Sequence, residues 1–332
     1  MNDILKLSED EKQIVFRNTA LQMGVHEAII EKDYWVCLVL DYLFNKSMYR
    51  NHLIFKGGTS LSKCFNLIRR FSEDIDIILD WRVLGYEKGE PWIERSKTKQ
   101  DVFNKEAKER AEKFLANVFI EILRKDLEEI IGMPVKFEID KTDPQTIAFH
   151  YPQLFKDDSI LQVIRLEIGA LAAWTPSVKR KITPYILELY PQASANPTTM
   201  IPTTSAIRTF WEKVTILHHE ANRPEHLEMP LRYSRHYSDL ACLANSEYKI
   251  VAFENIDLLR RVVEFKMKFY PRGWAKYEEA VPGTIKLLPN KSRWDSLKRD
   301  YIRMEEMLFG EIPSFESLMG SIKELEIEIN DL

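Results

Sequence analysis

The stretch FKGGTSLSKCFNLIRRFSEDIDIILD, Phe55 to Asp80, limits what this chain can fold into more than any other. HLIFKGG is a short apolar run that ends in glycines, the pattern of a strand feeding a turn. Leu61, Phe65 and Ile68 then recur at helical spacing, with Thr59 or Ser60 able to cap the start. DIDIIL alternates with period two and predicts a second strand. On that strand Asp74 and Asp76 project from one face, while Ile75, Ile77 and Leu79 pack from the other. Two carboxylates beside a buried strand repel each other and lose hydration unless a cation compensates them. An oxygen-only donor set suits Mg²⁺, above all Mg²⁺ that also carries phosphates. Gly57 and Gly58 leave backbone N–H groups open to an anion at the start of a helix, where the dipole favours negative charge. Taken singly, the glycines are a turn and the aspartates a wet edge strand. In this order, one helix apart, they predict a single phosphate-and-metal device.

The remaining sequence supplies a frame for it. Helical patterns run from about residue 8 to 46, and a long charged helix from about 100 to 131. Strand-like runs follow at PVKFEID, TIAFHY and LQVIRLEIGAL. The Pro-rich TPYILELYPQASANPTTMIPTT reads as a passage between lobes, and nearly everything after Ser205 reads as helix. The expected architecture is a mixed α/β lobe over residues 1–198 and a helical lobe over 199–332. A chain of 332 residues is long enough for two such cores. No apolar run approaches the roughly 20 residues that span a bilayer, and the acidic start MNDILKLSEDEKQ is unlike a secretory signal. Cys37, Cys64 and Cys242 form no CxxC pair, which points to a reducing cytoplasm. A net charge of −4 argues against a general nucleic-acid binder.

Gly-Gly-Thr/Ser, a helix and then Asp-x-Asp resemble the nucleotidyltransferase fold of the DNA polymerase β superfamily. The fuller string KGGTSLSKCFNLIRRFSEDIDI is similar to the AbiEii toxin family of those enzymes. Fifteen residues between Gly58 and Asp74 and the Arg70-Phe71-Ser72 lead-in suit that branch. IEKDYWV near the start, and FYPRGWAKYEEA, LLPN and DYIRMEEMLFG near the end, extend the likeness over most of the chain. The resemblance implies an α+β fold, with a nucleotidyltransferase-type N-terminal lobe whose mixed sheet is flanked by helices and an all-helical C-terminal lobe. It also implies a third carboxylate from a neighbouring strand, for which VIRLEIGA offers Glu167. The other reading of Glu167 is a strand glutamate paired with Arg165. From TFWEKVTILHHEAN and LRYSRHYSDLACL it implies that Lys213 contacts the triphosphate and that Asp239 orients nearby groups. A surface lysine and a surface Arg–Asp pair are the alternatives there.

On this reading Gly57, Gly58 and the Thr59 and Ser60 hydroxyls hold the β- and γ-phosphates of an NTP. Asp74, Asp76 and Glu167 hold Mg²⁺, with Mn²⁺ as the alternative ion, and two metals neutralise the attacking and leaving oxygens. The resemblance further implies a bacterial toxin of a toxin–antitoxin or phage-defence operon, with a separately encoded winged-helix antitoxin and the tRNA 3′ end as acceptor. Competing readings are NMP transfer to a protein or small molecule, kinase-like phosphoryl transfer, and a non-catalytic nucleotide-binding module acting through its partner. Three converging carboxylates argue against the last. Lys179-Arg180-Lys181 reads equally as a basic loop and as an RNA contact. His218, His219, His226 and His236 read as structural, since adjacent helical histidines diverge and no HExxH supports them.

Overall fold

The computed structural model describes residues 1–68, 70, 74–157, 161–173, 175–308 and 310–332. The chain divides into two compact units, Met1–Cys64 with Glu73–Thr203, and Phe65–Ser72 with Thr204–Leu332. The contiguous split expected at 198/199 lacks this excursion: the chain leaves the first unit after Cys64 and rejoins it at the second strand.

The first unit is built on a mixed sheet, seven-stranded among the described residues. In chain order the strands are β1 (Leu53–Lys56), β2 (Asp74–Leu79), β3 (Lys136–Ile139), β4 (Thr146–His150), β5 (Ile164–Gly169), β6 (Ser177–Ile182) and β7 (Thr199–Thr204), and across the sheet the order is β3-β4-β5-β2-β1-β7-β6. β2 runs antiparallel to β1 and parallel to β5. The helices of this unit are α1 (Glu9–Met23), α2 (Glu27–Asp41), α3 (Gly57–Lys63), α4 (Lys97–Phe114), α5 (Ile120–Ile131) and the short α6 (Tyr185–Leu189). α1 begins in a capping box in which Ser8 and Glu11 satisfy each other's backbone N–H. Its core joins α2, α5 and the apolar faces of β1, β2, β4 and β5.

Two stretches differ from expectation. TPYILELYPQASANPTTMIPTT is not a linker: it forms α6 and β7, because Ile186, Leu187 and Ile201 bury in the core and Thr203 pairs with Phe55 of β1. Lys179-Arg180-Lys181 is not a loop but the middle of β6, an edge strand on which Lys179 and Lys181 are exposed.

The charged triplet of α2 is wholly buried, and each charge ties down a different segment. Glu31 accepts from the backbone N–H groups of Leu154 at 2.7 Å and Phe155 at 3.1 Å. Lys32 donates to the Leu161 carbonyl. Asp33 accepts from Tyr185 N at 2.7 Å and forms a 2.8 Å ion pair with Lys63 at the end of α3, whose ammonium also lies 3.7 Å from the Tyr185 ring centre. Burial outweighs the two backbone bonds and pushes the Glu31 carboxyl up to about 7. The folded state therefore holds a proton that the unfolded chain loses near pH 4.5. The stability this proton confers is full below that value and is lost as pH rises through about 7, a change on the order of 3 kcal/mol. Glu31→Gln should flatten the curve of urea midpoint against pH between 5 and 8; an unchanged slope would assign it to another group.

The second unit is helical, with α7 (Ala206–Ala221), α8 (Ser234–Ala244), α9 (Tyr248–Glu254), α10 (Ile256–Phe269), α11 (Trp294–Met304) and α12 (Phe315–Asn330). Its core holds Phe210, Trp211, Leu217, Tyr237, Leu240, Leu259, Tyr301 and Ile322. Phe65 from the excursion packs edge-on against Tyr248, and Arg70 makes an isolated antiparallel bridge with Leu308.

Candidate active site

The glycines and aspartates of the opening stretch meet in space. Lys56 ends β1 in an extended conformation and the helix begins at once, at Gly57. Thr59 and Ser60 thus lie inside the first turn, not at the cap, and no side chain caps the helix. Gly57 has φ +81°, and a Cβ built there would stand 1.9 Å from Asp76 Oδ2. Only glycine permits both the left-handed backbone and the approach of this carboxylate to the helix start.

Both hydroxyls have backbone partners. Thr59 Oγ1 donates to the Asp74 carbonyl, and Ser60 Oγ donates to the Gly57 carbonyl at 2.8 Å. Both residues are buried. The Thr59 bond fastens the start of the helix to β2, and the Ser60 bond closes back on the first turn. The helix is also shorter than the Leu61-Phe65-Ile68 spacing suggests. It stops at Lys63, Asn66 takes a left-handed φ of +52°, and Phe65 and Ile68 pack in the second unit instead.

The third carboxylate stands where the strand pairing requires. In the parallel β2–β5 pair Asp76 is opposite Glu167 and Asp74 is opposite Arg165. Directly opposed residues share a face, so Asp74, Asp76 and Glu167 all project from one side of the sheet. Lys56, opposite Asp76 on β1, lies on the same face. The three carboxylates fit a divalent ion by donor type and by face. As the side chains stand, no group of three or more His, Cys, Asp or Glu among the described residues closes around a common point. The Arg165 Nε is 3.6 Å from Asp74 and 4.0 Å from Glu167, while its Nη1 donates to Asp140 at 2.6 Å. Arg165 therefore pairs chiefly with Asp140, and its link to Glu167 is weak. Burial alone would lower the arginine's pKa; the Asp140 bond and the Asp74 and Glu167 charges more than offset that.

Lys213 and Asp239 form their own group in the second unit. Lys213 on α7 donates to Asp239 Oδ2 of α8 at 2.7 Å, and its Nζ lies 3.0 Å from His236 Nδ1. Arg70 completes the group with bonds from Nε at 2.9 Å and Nη2 at 3.1 Å to the two Asp239 oxygens. Asp239 is fully buried and Lys213 is 6% exposed, so neither is a surface residue. Burial raises the Asp239 carboxyl, but Arg70 and Lys213 override it and hold Asp239 well below the usual range. Burial also lowers Lys213, against the pull of Asp239. Burial, Lys213 and Arg235 keep the His236 ring neutral, so its Nδ1 accepts from the ammonium. Sequence reasoning missed Arg70 as a functional partner, because its carboxylate lies 169 residues away. On α7, His218 contacts the Lys276 carbonyl and the Lys286 N–H, and His219 packs on Trp274.

A family profile described as nucleotidyl transferase AbiEii toxin, type IV TA system, matches residues 39–321. A search of curated proteins finds no match. Among solved structures, MenT4, the nucleotidyltransferase toxin Rv2826c of Mycobacterium tuberculosis H37Rv, is similar at 17% identity and a TM-score of 0.55, over 98% of this chain and 90% of that one. JHP933 from Helicobacter pylori is similar at 15% identity and a TM-score of 0.45, over 92% and 93% of the two chains. A further H. pylori protein, titled a putative nucleotidyltransferase, shows 14% identity and a TM-score of 0.44, over 92% and 96%.

Proposed function

Since the chain belongs to the nucleotidyl transferase AbiEii toxin family, and is therefore a nucleotidyltransferase toxin with an NTP substrate and an antitoxin partner, we propose that it transfers an NMP to the 3′ end of tRNA. The single observation that carries the site assignment is the meeting of Gly57 with the Asp76 carboxylate, beside an in-register Glu167. The backbone of Gly57 and Gly58, with the Thr59 and Ser60 hydroxyls, receives the β- and γ-phosphates; Thr59 also ties this segment to β2, and Ser60 ties it to the Gly57 carbonyl. Asp74, Asp76 and Glu167 hold the divalent ion, Mg²⁺ or Mn²⁺. A bound ion of this kind lowers the pKa of the attacking hydroxyl and offsets charge on the leaving pyrophosphate. The family resemblance assigns Lys213 to the triphosphate, and Asp239 and His236 hold its ammonium in one position.

Support for an RNA acceptor comes from the family resemblance and from the exposed lysines of β6, Lys179 and Lys181, which suit a phosphate backbone despite the net charge of −4. The same resemblance supports a winged-helix antitoxin, a role in phage defence and a cytoplasmic location. No helix among the described residues is long and apolar enough to cross a membrane. The test is incubation of purified protein with Mg²⁺, each α-labelled NTP and total tRNA, beside Asp76→Ala. Label on tRNA that vanishes in the variant is the expected outcome. Label on protein instead would replace the acceptor, and no label on RNA with any of the four NTPs would remove the RNA reading.

A further inference from the structure

The strand register sets an arginine into the row of carboxylates. Arg165 is opposite Asp74 and two residues before Glu167 on the same strand, so all three side chains share a face. Its guanidinium stands at ion-pair range from Asp74 and Glu167, 3.6 and 4.0 Å, and makes its short bond, 2.6 Å, to Asp140. Asp140 is itself fixed beyond the end of β3. It accepts from Thr142 N at 2.8 Å, Thr142 Oγ1 at 2.7 Å and Asp143 N at 3.2 Å. The tether holds the guanidinium close enough to screen the carboxylate row but short of a hydrogen-bonded pair with Asp74.

We infer that Arg165, restrained by Asp140, is a positioning residue that sets the divalent-ion affinity of the Asp74, Asp76 and Glu167 row. This rests on reading those carboxylates as the ion's ligands. Without an ion the guanidinium relieves their mutual repulsion and keeps them aimed. When an ion arrives, the arginine opposes it by like charge and by its claim on Asp74. Over a few ångströms and at an effective dielectric near 20, that opposition exceeds thermal energy several-fold. Asp140 limits it: if the tether is cut, Arg165 can close onto Asp74 and compete harder.

The two residues therefore act in opposite directions, which a merely structural role would not produce. The full-length protein without nucleotide is titrated with Mn²⁺, and the free ion is read by its paramagnetic resonance signal. Arg165→Gln should bind Mn²⁺ at least about tenfold more tightly than wild type. Asp140→Asn should bind it about threefold or more weakly. The double variant should follow Arg165→Gln, because Asp140 acts through the arginine. Equal or weaker binding by Arg165→Gln overturns the inference while leaving the ligand assignment in place, and so does a double variant that follows Asp140→Asn. Absence of Mn²⁺ binding in wild type and every variant removes the ligand assignment and the inference together. Misfolding would weaken both single variants, so a rise in Arg165→Gln cannot come from it.

Discussion

Gly57→Ala should lower kcat by at least about 10²-fold, because it moves the carboxylate proposed to hold the ion, Asp76, rather than removing it. The added methyl would lie 1.9 Å from Asp76 Oδ2 and 2.6 Å from its Cγ, on a residue with φ +81°. The left-handed backbone alone costs roughly 1–2 kcal/mol for an L residue. The clash adds to that until Asp76 or the start of α3 shifts. Since the carboxylate belongs to β2, a strand paired on both sides, the helix start and the side chain must give way. Combining Gly57→Ala with Asp76→Ala separates the two effects. The double variant should recover the steric part of the lost stability but none of the activity, giving a coupling energy of about 1 kcal/mol or more. Additive stabilities, measured as urea midpoints, would show that the loop and the carboxylate do not meet in solution.

Asp239→Ala should be the most destabilising single change in the second unit, by about 3–5 kcal/mol, because it strands two buried cations. Arg70 and Lys213 are 6% exposed each, and Asp239 is their shared counter-charge. Arg70 and Asp239 also line a cavity of about 390 Å³, through which water can reach the vacated position and hold the cost near the lower end of that range. Asp239→Ala combined with Arg70→Met removes one of the stranded charges and should recover part of the loss. The pH dependence carries a definite sign. Asp239 titrates lower in the folded state than in the unfolded chain, so its stabilising contribution is complete above about pH 4 and drains away as the pH falls. Wild type should lose stability steeply below that pH, and Asp239→Asn should lose less. Identical acid slopes in thermal unfolding would place the acid sensitivity elsewhere.

The parts of this molecule legible in its sequence are those where local pattern and tertiary packing agree. β1 and β5 alternate cleanly, and β2 does so from Asp74 to Ile77 before it buries on both faces, so the positions of Asp74, Asp76 and Glu167 on a shared face follow from periodicity once the strands pair. Local pattern fails where a partner lies far along the chain. Phe65 and Ile68 keep helical spacing, yet they serve the core of the second unit, so α3 ends early. Arg70 appears in sequence as part of a lead-in to DID; nothing within ten residues of it announces a bond to Asp239. SVKRKI alternates polar residues on an edge strand and so resembles a basic loop. The Glu31-Lys32-Asp33 triplet resembles a solvated turn of helix, but each of these buried charges has a partner more than 25 residues away in sequence. Thr59 and Ser60 look like a cap because hydroxyls usually serve there, and only the extended Lys56 shows that the helix has already begun at Gly57.

The claim at the centre is that this site delivers the α-phosphorus of an NTP to RNA. Paired reactions with α-labelled and γ-labelled NTP, Mg²⁺ and total tRNA test it, with the RNA resolved on a denaturing gel and the released label identified. The account predicts label on tRNA from the α-labelled nucleotide only, lengthening of the RNA at its 3′ end, and γ-label recovered as pyrophosphate. Transfer of γ-label to any acceptor, or α-label left entirely in free nucleotide, would contradict it.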